Sequence, residues 1–188
     1  MTKIPRDATE IRSLIGFLQY AGRNIHDLAT LMEPLRRLTK SNTPFSWGVV
    51  EQRALETLLT RLREKVTTAY FDPRRRSVIT CDASPVGVSG VCAQIDEHGR
   101  LVPITFVSRA LTPTECRYSQ LEREALSIVF SVERLHRFIF GSSFDIITDH
   151  KPLVTLLGKP NTKLSARLER WRLRLTPYDY VIRYEPGE

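Results

Sequence analysis

The chain has 188 residues, 41% hydrophobic and 26% charged, enough for one well-packed domain with an appendage. Its 28 Lys and Arg against 21 Asp and Glu give a net charge of +7, a surplus that suits a polyanionic partner and equally describes a soluble basic protein. Cys81, Cys92 and Cys116 form no CxxC pair, no apolar run approaches the roughly 18–20 residues of a membrane span, and no signal-peptide core opens the chain, so a disulfide scaffold, a zinc site and a membrane protein are set aside for an intracellular, reducing setting.

In chain order, Ile11, Leu14, Ile15 and Leu18, then Leu28, Leu31, Leu35 and Leu38, recur at spacings of three and four, which predicts helix over 10–40 with interruptions at Gly22 and Pro34. Residues 41–47 (SNTPFSW) are a break, and Ala54, Leu55, Leu58, Leu59 and Leu62 share one face of a helix over 49–65. The composition changes at 72–76 (DPRRR), the best candidate boundary, dividing a helical region over 1–72 from a sheet-bearing domain over 73–188. Strands are predicted over 77–82, 86–95 and 101–108, where β-branched residues alternate and Gly99 marks a hairpin turn. A long helix over 114–138 is closed by Gly141. A strand over 144–149, a basic helix over 163–175 and a strand over 178–184 complete the order: helices, then β-β-β-α-β-α-β, an α/β fold.

Three carboxylates stand where a solvated surface explains them poorly. Asp82 ends one apolar strand and Asp149 another, and if those strands are neighbours the two acids lie side by side. Like charges at that distance repel unless a cation or a shared proton compensates, and divalent metal ions are the natural compensation. Glu124 shares a helical stripe with Leu121, Ile128, Ser131 and Leu135 and so points inward, whereas Glu122 lines up with Leu126, Val129 and Glu133 toward an exposed edge. A core-facing carboxylate is costly without a partner, which Asp82, Asp149 and bound metal would supply. Aspartates at strand ends are also common as turn formers and helix caps, and pattern alone leaves both readings open.

The segments CDASPVGVSGVCAQ, PITFVSRALTPTECRYSQLEREAL, FDIITDHKPL and RLERWRLRLTPYDYVIRYEPG follow one another in an order and spacing that closely resembles the ribonuclease H domain of gypsy-type (Metaviridae-like) retrotransposon Pol polyproteins. The upstream EIRSLIGFLQYAGRNIHDLATLMEPLRRLTK and PFSW are similar to the thumb and linker that follow the polymerase palm. The resemblance implies an RNase H-like fold, a five-stranded mixed sheet with helices on both faces and its first three strands antiparallel, preceded by the helical segment. It matches Asp82, Glu124 and Asp149 to the catalytic, metal-binding acids, and it implies two Mg²⁺ ions, replaceable by Mn²⁺, that hydrolyse the RNA strand of RNA–DNA hybrids. The implied partners are the hybrid and the rest of the Pol polyprotein, including the polymerase palm and integrase; no Tyr-x-Asp-Asp polymerase motif occurs in this sequence. The resemblance implies a following segment with a fourth carboxylate, so weak or absent cutting is expected of 1–188 and restored cutting once about 10–20 downstream residues are appended. A catalytically incomplete remnant that binds nucleic acid or a protein partner is the competing reading.

Ser119 and Gln120, at the start of the Glu124 helix, and Lys151, just after Asp149, are candidate substrate contacts; a plain helix start and a solvated lysine are the alternatives. His150 reads as structural. Lys163, Arg167, Arg170, Arg172 and Arg174 surround Leu164, Leu168, Trp171 and Leu175, so their helix either tracks a nucleic-acid backbone or is a surface helix docked through Trp171. Residues 74–76 read as a solvated turn, and Ser89 and Cys92 replace commoner small and aliphatic residues tolerably.

Overall fold

The computed structural model describes residues 5–21, 25, 27–40, 44–63, 69–159 and 162–186. The interruption expected at Gly22, the start of the 41–47 break and the helix end at Lys65 lie outside them.

Strands β1 (Ser77–Ala83), β2 (Gly87–Ile95) and β3 (Leu101–Ala110) form an antiparallel meander. Alternation sends Ile79, Cys81 and Ala83 to one side, where Cys92, Gly90 and Val88 face them across the ladder. The β2–β3 turn is held by Asp96, whose carboxylate accepts from the backbone N–H groups of His98 and Arg100, while Gly99 supplies the left-handed conformation at φ 76°. β4 (Ser143–Thr148) then pairs parallel with β1, and β5 (Asp179–Tyr184) parallel with β4, giving the sheet order β3-β2-β1-β4-β5.

Parallel neighbours require crossovers, and each is made of two helices. α5 (Gln120–Arg134) and α6 (His136–Ile139) join β3 to β4; α7 (Lys151–Gly158) and α8 (Ala166–Leu175) join β4 to β5. The order is therefore β-β-β-α-α-β-α-α-β, which corrects the sequence reading. α7 is only eight residues long, too short for its apolar residues to show a period. α5 starts later than the expected position 114 because Ser119 is its N-cap: the hydroxyl accepts from Glu122 N–H and the Glu122 carboxylate accepts from Ser119 N–H. The preceding residues make a single 3-10 turn, Glu115–Arg117.

The upstream helices are α1 (Ala8–Ala21), α2 (Leu28–Leu31), α3 (Glu33–Arg37) and α4 (Val49–Arg63). The interruption expected at Pro34 falls just before it: α2 ends at Leu31 and α3 begins at Glu33, with Pro34 in its first turn, where its missing N–H costs nothing. Leu18, Met32, Leu35, Leu55 and Leu58 form a small core among these helices, separate from the larger one of Ile79, Cys92, Ile128, Phe144, Ile146 and Ile182 between sheet and crossovers.

Helices cover both faces of the sheet. On one, α5 lies so close to β2 that a Cβ at Gly90 would stand 2.6 Å from Ser131 Cβ. Gly90→Ala is expected to cost about 1–3 kcal/mol by overpacking, read as a lowered urea midpoint. On the other face, Ala29 and Thr30 of α2 press on Gly87, where a Cβ would be 3.4 Å from Ala29 Cβ.

Candidate active site

The β1–β4 ladder runs from Ser77 with Phe144 to Thr80 with Ile147, so Asp82 and Asp149 each lie two residues beyond its last pair, on neighbouring strands. The strand adjacency that the expectation required is present, created by insertion of β4 next to the first strand. Asp82 is half-buried in the penultimate position of β1; Asp149 is exposed just beyond β4.

Glu124 occupies the second turn of α5, which packs across β1 and β2, and it is only 3% exposed. Burial pushes its carboxyl up to about 8, and repulsion from Asp149 and Asp82 adds to the rise; the Gln120 hydrogen bond and the Arg123 charge oppose it. Both aspartates named from sequence are thus within electrostatic reach of Glu124. Gln120 Nε2 donates to Glu124 Oε1, while buried Oε2 has no hydrogen-bond partner. An orphaned oxygen on a buried carboxylate is costly, and a proton or a cation is what removes the cost.

Glu124 is buried and Glu122 is not, as the helical stripe predicts, but the residues beside Glu122 are covered too. Glu122 is spent on the Ser119 cap and on an ion pair with Arg167 at 2.5 Å. Leu126 and Val129, expected near an exposed edge with it, are 5% and 0% exposed, because α5 is flanked by the sheet on one side and by α8 on another.

Among the described residues, no three His, Cys, Asp or Glu side chains converge closely enough to hold a metal ion as they stand. The fit of a divalent cation rests instead on the donor set: carboxylates from three different elements, one of them buried with an oxygen unsatisfied. Oxygen-only donors of this kind suit a hard cation.

The remaining candidates divide. Gln120, expected to face substrate, is tied to Glu124 and accepts from Arg123 at 2.7 Å, a role that no periodicity announces. Ser119 is occupied by its cap. Lys151 is exposed at the start of α7, its Nζ 6.0 Å from the Tyr184 ring centroid. His150 is half-buried and its backbone N–H donates to Thr148 Oγ1. In α8, Arg167 pairs with Glu122 and stacks over Tyr118, Arg172 pairs with Glu169 and Arg174 with Glu133, so intramolecular ion pairs account for much of the arginine that seemed in excess. Residues 74–76 are likewise more than a solvated turn: Arg76 makes a two-pronged contact with Asp145 at 2.7 and 2.8 Å, which Arg183 joins. Cys81 and Cys92 are buried with thiols pushed up by burial, to about 12 and about 11, so they act as small hydrophobic side chains.

Comparison with known proteins gives this geometry a context. Over residues 72–178 the chain matches the model of the RNase H-like domain found in reverse transcriptase. It is 32% identical over 185 residues to the Retrovirus-related Pol polyprotein from transposon 412 of Drosophila melanogaster, covering 98% of this chain and 15% of that protein. It is 26% identical over 187 residues to the Transposon Tf2-3 polyprotein of Schizosaccharomyces pombe, covering 98% of this chain and 14% of that one. The chain therefore spans about a seventh of the length of these relatives. In fold it is similar to the foamy viral protease-reverse transcriptase in complex with RNA/DNA hybrid, with a TM-score of 0.73 at 20% identity over 99% of this chain and 26% of that one. Because the matched model covers more than half of its length, this chain belongs to the family of RNase H-like domains found in reverse transcriptase.

Proposed function

We propose that the chain is the ribonuclease H module of a retrotransposon reverse transcriptase, hydrolysing the RNA strand of RNA–DNA hybrids with Asp82, Glu124 and Asp149 as its catalytic and metal-holding carboxylates. The observation that carries this reading is the buried Glu124, short of a partner for Oε2 and repelled by aspartates at the ends of two adjacent parallel strands. The resident ions are two Mg²⁺, with Mn²⁺ able to replace them. Bound divalent cations supply Lewis acidity toward the scissile phosphate, activating water and easing departure of the 3′ oxygen.

The chain's own contribution is positional. Asp82 is fixed from the middle strand of a five-stranded sheet and Asp149 from the strand beside it. Glu124 comes from a capped helix, with Gln120 holding one carboxylate oxygen and leaving the other available. Lys151, exposed next to Asp149, is suited to a phosphate of the hybrid, and Ser119 and Gln120, exposed at the start of the Glu124 helix, are the further candidate substrate contacts. Residues 1–72 serve as thumb and linker and 73–188 as the nuclease domain, supported by the two separate cores and by a family match that begins at residue 72. The polymerase palm and integrase of a Pol polyprotein are the protein partners, in an intracellular compartment.

The competing reading, a non-catalytic binder of nucleic acid, is favoured by the lack of a preassembled three-acid metal group among the described residues. A labelled RNA–DNA hybrid separates the two. Slow, Mg²⁺- or Mn²⁺-dependent release of RNA fragments is expected, and it should disappear in Asp82→Asn while hybrid binding remains. Cutting that survives Asp82→Asn, or binding without cutting under either ion even after downstream residues are appended, overturns the proposal.

A further inference from the structure

We infer that the upstream helical segment completes the nuclease site, with Asp27 and Thr30 acting as positioning residues for the strand that bears Asp82; the inference rests on the function proposed above. Asp27 directly precedes α2 in the left-handed conformation, φ 54° and ψ 25°, and among the described residues it is the only non-glycine with positive φ. That conformation is uphill for most side chains and is kept where surrounding contacts demand it.

The contact in question is with the sheet. Ser89 Oγ donates to Asp27 Oδ1 at 2.6 Å, and Ser89 is the residue directly across the β1–β2 ladder from Asp82. Cross-strand partners project to the same face, so the Asp27 carboxylate is anchored to the immediate neighbour of the candidate catalytic aspartate. Ser89 is 3% exposed, and a hydroxyl–carboxylate bond shielded in this way is stronger than one in water.

A second contact grips the other side of Asp82. Thr30 Oγ1 lies 2.9 Å from the hydroxyl of Ser84, two residues beyond Asp82. Ser84 Oγ also accepts from Gly87 N–H at 2.9 Å and from Val86 N–H at 3.3 Å, so it organises the whole β1–β2 turn. Gly87 admits the helix because it has no side chain: a Cβ there would lie 3.2 Å from Thr30 Oγ1. Asp82 is thereby held between two points fixed by the upstream segment, one across the ladder and one along the strand. Outer contacts of this kind set the aim of a metal-holding carboxylate.

The test is Mn²⁺ titration of the 188-residue chain, followed by electron paramagnetic resonance, with thermal melting of the metal-free protein in parallel. Asp27→Gly removes the carboxylate while suiting the left-handed backbone, and Ser89→Ala removes the donor. Each is expected to weaken Mn²⁺ binding about tenfold, the lower end for partners of metal ligands, with no further loss when combined. Asp27→Asn, whose amide oxygen still accepts the bond, should bind nearly as the parent does. If Asp27→Gly and Ser89→Ala lower the melting temperature but leave Mn²⁺ affinity unchanged while Asp82→Asn weakens it, the positioning role fails and the nuclease site stands. If Asp27→Asn is as weak as Asp27→Gly, the residue acts through charge and the positioning role fails again. Mn²⁺ binding indifferent to Asp82→Asn would overturn both the inference and the function beneath it.

Discussion

Glu124→Gln should yield a metal-free protein that is more stable at pH 8 by about 2–4 kcal/mol and inert toward hybrid. In the unfolded chain this carboxyl ionises near 4.5; in the folded one it holds its proton to about 8. The folded state therefore binds more protons across that window, and the stability of the parent falls as pH rises from the lower value to the upper. A shift of this size corresponds to about 5 kcal/mol at full extent. The amide introduces a buried N–H₂ that needs an acceptor, which returns part of the gain. Urea melts at several pH values between 4.5 and 8 read the result: the parent should lose stability along the series and the variant should stay level. A variant as pH-sensitive as the parent, or less stable at pH 8, would show that the buried carboxyl is not under tension. Loss of cutting together with gain of stability is the signature of a residue retained for chemistry and not for the fold.

The elements that carry the candidate site were legible where chemistry and periodicity reinforce each other. A strand that ends in Asp, repeated at Asp82 and Asp149, needs only adjacency of the two strands to become a pair, and the parallel β1–β4 ladder provides it. Glu124 could be preferred over Glu122 because a three-and-four stripe leads inward, although the helix turned out to be covered more widely than one stripe implies. What stayed hidden depends on contacts between distant segments. Nothing local in 74–76 announces that Arg76 will meet Asp145, 69 residues later. The arginines of α8 read as a basic surface because their acceptors, Glu122 and Glu133, belong to another helix. α7 was hidden because a single short helix has too few turns to establish a period. Asp27 belongs to the same class: its value comes from Ser89, 62 residues away, and no spacing rule reaches that far.

Metal binding by the parent should strengthen about tenfold per pH unit between pH 6 and pH 8 and then level off. A cation that takes Glu124 Oε2 must displace the proton that burial and the neighbouring aspartates keep there, since the protonated acid is a poor ligand. Below about 8 the ionised fraction of Glu124 falls in proportion to hydroxide concentration, so apparent affinity at pH 6 should lie about a hundredfold below its limiting value. At a fixed, subsaturating Mg²⁺ concentration the cleavage rate should follow the same slope, and raising the Mg²⁺ concentration should move the midpoint to lower pH. Mass action adds a thermal counterpart: a given excess of Mn²⁺ should raise the melting temperature far more at pH 8 than at pH 6. Calorimetric titration in two buffers of different ionisation enthalpy counts the proton released on binding, close to one at pH 6 and tending to none above pH 9. Glu124→Gln should bind Mn²⁺ weakly and with no such slope. Affinity in the parent that is flat from pH 6 to pH 8 would mean that the ion is held without Glu124, and the carboxyl at the heart of the site would have to be read as a buried structural acid.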